Sequence, residues 1–209
     1  MDQDDPFPAS DFDDWAETYD QSVQGYATFP FTGYDQVLAT ILEWAKPSAG
    51  QTILDLGTGT GNLTLLFDGQ GCQLTCTDFS ESMLEKARAK LPRAEFFLHD
   101  LRETSPLAGR HFDCIVSAYV FHHFPLEQKI EICAKLAKEH LMQGGSIILG
   151  DISFPSQNAQ DAIKQSTPDW EEEFYWQADE ALKMFEKAGF EVRYAQISAC
   201  AGVYEIRPG

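Results

Sequence analysis

Short, nearly unbroken apolar runs alternate along this chain with longer stretches in which apolar residues recur every three or four positions. The runs are Thr52–Leu56, Leu74–Thr77, Glu95–Leu98, Phe112–Ser117 and Ser146–Gly150. Several are apolar at consecutive positions, as strands covered on both faces must be. Between them lie helical patterns. Met83, Leu84, Ala87 and Leu91 share one face, with Ser80 or Ser82 as the cap, Ser82 and Glu85 standing at capping-box spacing, and Pro92 beyond the end. Leu126, Ile130, Cys133, Ala137 and Leu141 form a second stripe, closed by Gly144-Gly145. Asp179 is placed to cap a third helix carrying Leu182, Phe185 and Ala188, with Gly189 as its left-handed stop. After Gly189 the rhythm changes: residues 190–199 and 203–207 read as two strands joined near Ala201-Gly202. The pattern predicts an α/β fold, a doubly wound, mostly parallel seven-stranded sheet of Rossmann-like form with a C-terminal antiparallel hairpin on one edge.

Two segments interrupt the alternation. Residues 12–47 carry Trp15, Tyr19, Tyr26, Phe29, Phe31 and Tyr34; residues 152–177 carry Trp170, Phe174, Tyr175 and Trp176. Open α/β sheets bind ligands beyond the carboxyl ends of their strands, so both segments are candidates for a lid and a substrate pocket. The chain has 209 residues, enough for one sizeable core, and reads as a single domain over 1–209. Its first residues, with Asp2, Asp4, Asp5, Pro6 and Pro8, read as a flexible acidic tail over 1–11.

Charge narrows the choice of partner. Fifteen basic against 33 acidic side chains give a formal charge of −18. Such a surface repels phosphate backbones and anionic bilayers, so nucleic acid and membrane are poor partners and a neutral or cationic small molecule suits better. No membrane-length apolar run or signal-peptide pattern is present. The five cysteines have no disulfide or zinc spacing, so free thiols in a cytoplasmic protein with no bound metal are the expectation.

The candidate chemistry begins at Asp55-Leu56-Gly57-Thr58-Gly59-Thr60-Gly61-Asn62, a glycine loop between a strand and a helix. A dinucleotide loop would need glycine at position 62, which is Asn62, and would hold a pyrophosphate against the helix start. An acid two residues before the first glycine does not suit an anion. It suits a ligand with an ammonium and a sulfonium and no phosphate, which describes S-adenosylmethionine. The next strand ends in Asp78, a carboxylate able to accept from both ribose hydroxyls. The third ends in Asp100, set to accept from the adenine amino group. Small residues at Ser117-Ala118 leave room for the methionine part and a methyl acceptor.

With these motifs the sequence resembles the class I S-adenosylmethionine-dependent methyltransferases, from about Trp15 to the C-terminus. Trp15-Ala16-Glu17-Thr18-Tyr19-Asp20 and Ala118-Tyr119-Val120-Phe121-His122-His123-Phe124 resemble more narrowly the small bacterial YrrT-type methyltransferases. The resemblance implies a cofactor held at Gly57, Asp78 and Asp100, with Tyr19 closing over it. It extends to the neighbours Thr58 and Gly59 in the loop, Phe79 and Leu101 after the two acids, and to Asp55 and Ser117. The first motif departs mildly, with Asp55 where Glu is frequent. Methyl transfer needs a general base only for an acceptor protonated at neutral pH; His122 and His123 are the candidates. Glu171, Glu172 and Glu173 could attract a cationic acceptor beside the ring of Trp170 or Trp176. Two other readings stay open: a module that binds S-adenosylmethionine or its demethylated product without catalysis, and an NAD(P)-dependent dehydrogenase on the same fold.

Overall fold

The computed structural model describes residues 8–23 and 28–209. Tyr26 and the first seven residues of the expected tail lie outside the described residues. Within the expected tail, helix α1 (Ala9–Trp15) begins at Ala9. Helices α2 (Tyr19–Val23) and α3 (Tyr34–Ala45) precede β1 (Thr52–Leu56). Then follow α4 (Asn62–Asp68), β2 (Gln73–Asp78), α5 (Glu81–Lys90), β3 (Glu95–Leu98) and β4 (Phe112–Ala118). The C-terminal half contains α6 (Leu126–Glu139), β5 (Leu141–Phe154), α7 (Gln157–Ser166), β6 (Trp176–Gln177), α8 (Ala178–Lys187), β7 (Phe190–Gln196) and β8 (Ala201–Pro208).

The sheet runs β3-β2-β1-β4-β5-β8-β7, parallel from β3 to β5 and antiparallel through β8 and β7. Seven strands on this path match the expected sheet. A two-residue eighth, β6, pairs with the end of β5 and escaped the sequence reading because it is too short to show a period. The strand order reverses between β1 and β4, which opens a crevice at their carboxyl ends.

Both faces are covered, which explains the continuous apolar runs. Successive strand residues point to opposite sides, so Ile53 joins the core with Val37, Ile41 and Phe67 of α3 and α4. Its neighbour Leu54 joins the core with Cys133, Ala181 and Phe185 of α6 and α8. Of the two expected caps Ser80 is the one that closes α5, its hydroxyl accepting from the Met83 N–H at 3.1 Å. Two local expectations are corrected. Leu141 does not end the α6 stripe but opens β5, because α6 stops at Glu139 and the chain turns straight into the sheet. Asp179 sits in the first turn of α8 behind Gln177, the capping position. Gly189 does adopt the left-handed conformation, with φ at 90°.

Helix α3 packs closely over β5 at Gly150. A Cβ at Gly150 would overlap Val37 and come within 2.8 Å of Ile41 Cδ1, and both side chains are fully buried. We expect Gly150→Ala to lose about 1–3 kcal/mol of stability by overpacking, read as a lowered denaturant midpoint with an unchanged m-value.

Candidate active site

The loop after β1 is shaped by three glycines with positive φ: Gly57 at 63°, Gly59 at 52° and Gly61 at 88°. A Cβ at Gly57 would overlap Val120, whereas one at Gly59 would meet nothing within 4 Å. The first glycine is therefore needed for packing, and the second leaves bare backbone on an open face. Beneath the loop, Asp55 is 1% exposed. Its Oδ2 accepts from Thr58 Oγ1 at 3.0 Å and from Thr64 Oγ1. Its Oδ1 is buried without a hydrogen-bond partner. Burial pushes its pKa up to about 7. Asp55 and Thr58, expected to face the cofactor, do not line the cavity; their hydrogen bond braces the loop.

Outside the loop, Asp20 of α2 accepts from Thr60 Oγ1 at 2.6 Å and Asn62 Nδ2 at 3.1 Å. Lys90 of α5 donates to Asp20 at 2.6 Å and to Asn62 Oδ1 at 2.8 Å. This network fastens α2 across the loop and brings Tyr19 onto the cavity wall.

Asp78 stands at the end of β2 on that wall. Its Oδ2 accepts from the Gly59 N–H at 2.8 Å and its Oδ1 from the Ser80 N–H at 2.9 Å. Each carboxylate oxygen therefore keeps acceptor capacity for a ligand. Burial raises its pKa to about 6. Phe79 follows, edge-on to Phe12 at 4.9 Å. Asp100 lies two residues beyond β3 and is gripped by Arg102, with Nη2 at 2.6 Å and Nε at 2.9 Å; Leu101 beside it lines the cavity. Ser117 does not reach the cavity. Its hydroxyl donates to the Leu56 carbonyl at 2.7 Å and stitches β4 to β1, so Ala118, Tyr119 and Val120 line the cavity in its place. Tyr119 holds a φ of 58°, unfavourable for a non-glycine residue and characteristic of functional sites.

These residues enclose a cavity of about 1400 Å³. Both irregular segments expected to cover the strand ends do so, through Trp15, Phe29, Phe31, Pro168 and Tyr175 among others. Trp170 stacks behind Phe29 at 4.9 Å. Trp176, expected to offer a ring to a substrate, lies instead in the core, 1% exposed, donating from Nε1 to Asp151 at 2.9 Å.

The turn after β4 carries both histidines onto the cavity wall. His122 Nδ1 lies 2.6 Å from Asp151 Oδ1. Burial alone would lower its pKa, but the Asp151 carboxylate outweighs burial and holds it above the usual value. His123 is pushed down to about 3 by burial and by His122, which makes it a weak base at neutral pH. Glu173 Oε2 lies 3.3 Å from His122 Nε2 and 3.5 Å from His123 Nδ1. Asp151 was not singled out in the sequence and Glu173 was read only as part of an acidic run facing a cationic acceptor, since neither stands at a spacing that ties it to the histidine pair.

Comparison with known proteins identifies the family. A family model described as a methyltransferase domain matches residues 53–145. An uncharacterized methyltransferase of Geobacillus kaustophilus is 34% identical over 206 residues, covering 93% of this chain and 94% of the relative. The YrrT methyltransferase of Bacillus subtilis is 35% identical, covering 88% and 90%. The chain belongs to the class I S-adenosylmethionine-dependent methyltransferases. Solved structures share the fold of this methyltransferase at lower identity. Magnesium protoporphyrin IX methyltransferase from Synechocystis superposes with a TM-score of 0.72 at 18% identity, covering 97% of this chain and all of the other. A DhpI complex reaches 0.72 at 18%, covering 96% and 95%. A Haloferax volcanii methyltransferase solved with its activator protein reaches 0.72 at 18%. Membership makes the chain an enzyme and removes the dehydrogenase reading.

The buried Asp55 links the methyltransferase loop to stability. A folded-state pKa near 7 against the ordinary 3.8 means that folding favours the protonated form. Its cost is absent below about pH 4 and grows as pH rises toward about 7. We expect Asp55→Asn to gain on the parent across that window by on the order of 4 kcal/mol and to run parallel above it, measured by urea unfolding at several pH values.

Proposed function

We propose that the methyltransferase binds S-adenosylmethionine across Gly57, Gly59, Asp78, Phe79, Asp100 and Leu101, under Tyr19, and methylates a small, neutral or cationic acceptor held between the aromatic segments. The observation that carries this reading is the pairing of Asp78 with the bare Gly59 backbone on the wall of one large cavity. A carboxylate with acceptor capacity left on each oxygen suits a vicinal diol, and an open glycine admits a ligand against the backbone. Phe79 and Leu101 supply apolar surfaces for a flat base. Asp100, already engaged by Arg102, is offered to the adenine amino group through its remaining lone pairs. Asp55 and Thr58 shape this site from behind.

When bound, the cofactor supplies a methyl group on a positively charged sulfur. What the chain contributes is alignment and exclusion of water, an orientation effect. Phe29, Phe31, Tyr119 and Tyr175 present apolar surface to the acceptor, and the cavity exceeds the roughly 300–1000 Å³ that one ligand takes, so it has room for two. Asp169, Glu171 and Glu173 on its rim disfavour an anionic acceptor, as the charge of −18 disfavours nucleic acid. Among the described residues no helix is long and apolar enough to cross a membrane. The five cysteines are free, which fits the reducing cytosol we propose as its location.

Calorimetric titration with S-adenosylmethionine and its demethylated product tests the cofactor site. We expect micromolar binding, and at least a tenfold loss in Asp78→Ala, or about 1.5 kcal/mol. Unchanged affinity in a folded Asp78→Ala variant removes that residue from the site.

A further inference from the structure

His122, His123 and Glu173 place three ligand atoms within 4.8 Å of one another, the one such group among the described residues. Glu173 Oε2 is buried without a hydrogen-bond partner, although two imidazole nitrogens lie close by. With its proton on Nδ1 toward Asp151 at 2.6 Å, His122 aims the Nε2 lone pair at that carboxylate oxygen. Two lone pairs facing each other at 3.3 Å repel unless a proton or a metal ion lies between them.

The spacing favours a metal ion. Metal–ligand bonds of about 2.0–2.1 Å in tetrahedral arrangement put neighbouring ligand atoms roughly 3.3–3.5 Å apart, which matches the 3.3 and 3.5 Å separations from Glu173 Oε2. The carboxylate behind His122 is the usual partner of a metal-bound imidazole, since it fixes the tautomer and raises ligand basicity. Glu173 is also held in place. The Phe174 N–H donates to the His122 carbonyl at 3.0 Å, and buried Lys129 donates to the carbonyls of Phe124, at 2.7 Å, and Phe174. Asp151 and Glu173 set against Lys129 leave one net negative charge at the site.

We propose that His122, His123 and Glu173 form a site for one divalent transition-metal ion on the cavity wall. Two nitrogens and one carboxylate suit Zn²⁺, Co²⁺ or Fe²⁺ rather than Mg²⁺ or Ca²⁺. Three protein ligands leave at least one position open, and all three residues line the cavity. This extends the methyltransferase reading: the acceptor is then a molecule that offers a hydroxyl, thiol or amine to the ion, and binding through that atom also orients it. The ion would replace the histidines as the means of raising acceptor acidity.

The test uses full-length protein stripped with a chelator and titrated with Co²⁺. We expect one equivalent to bind with visible d–d absorption, to be displaced by Zn²⁺, and to raise the melting temperature. Glu173→Gln and His123→Ala should abolish the absorption while their metal-free melting curves stay cooperative, and Asp151→Asn should weaken Co²⁺ binding about 10–100-fold. Absence of stoichiometric binding, or equal binding in the parent and in folded Glu173→Gln, overturns the site and leaves a proton on His122 as the cation. Cofactor titration of the same stripped sample keeps the two readings apart: binding there without Co²⁺ binding sinks only the metal.

Discussion

A carboxylate sealed beneath a turn has to be satisfied from within the protein, and at Asp55 that requirement organises the whole crevice. Thr58 and Thr64 both turn their hydroxyls toward Asp55. To do so, the loop must rise over the carboxylate with alternate residues left-handed, which only glycines accept cheaply. The same path points the Gly59 N–H at Asp78 and carries Thr60 and Asn62 outward to Asp20 and Lys90. The loop thus has an anionic support below, a ligand face beside Asp78 and a polar flank that holds α2. The burial that shifts the Asp55 pKa comes from the same loop that frames the crevice.

The strands and their order were largely legible, because residues covered on two faces must be apolar at successive positions. Thr52–Leu56 and Glu95–Leu98 were located to the residue. Side-chain direction at the strand ends was not legible. Ser117 and Ala118 lie one residue apart and so face opposite ways, and nothing in the sequence says which of them meets the crevice. The depth of Asp55 was not legible for the same reason: an acid at a strand tip shows no sign in the sequence of being buried beneath its loop. The stripe ending at Leu141 followed a helical period past the true helix end, because that side chain is buried equally well at the start of β5.

Contacts between distant segments were the least legible. Glu173 belongs to an acidic run that looks like a solvated face, yet it meets the histidine pair through the Phe174 bond to the His122 carbonyl. Asp151 lies inside a long apolar strand, where its burial beside His122 and Trp176 leaves no periodic trace. The aromatic segments were found by composition alone. Their actual work, closing a cavity over the strand ends, depends on stacking such as Phe29 on Trp170.

Gly57 and Val120 touch so closely that no side chain fits at position 57. Val120 precedes the histidine turn, so the loop proposed to meet the cofactor and the turn proposed to meet the acceptor share one point of contact. Substitutions on either side of it displace the other. A lineage changing its acceptor has little freedom there and far more in residues 28–32 and 166–169, which line the same cavity from outside the sheet. The architecture therefore separates a frozen half, where sequence drift is penalised twice, from a half open to diversification.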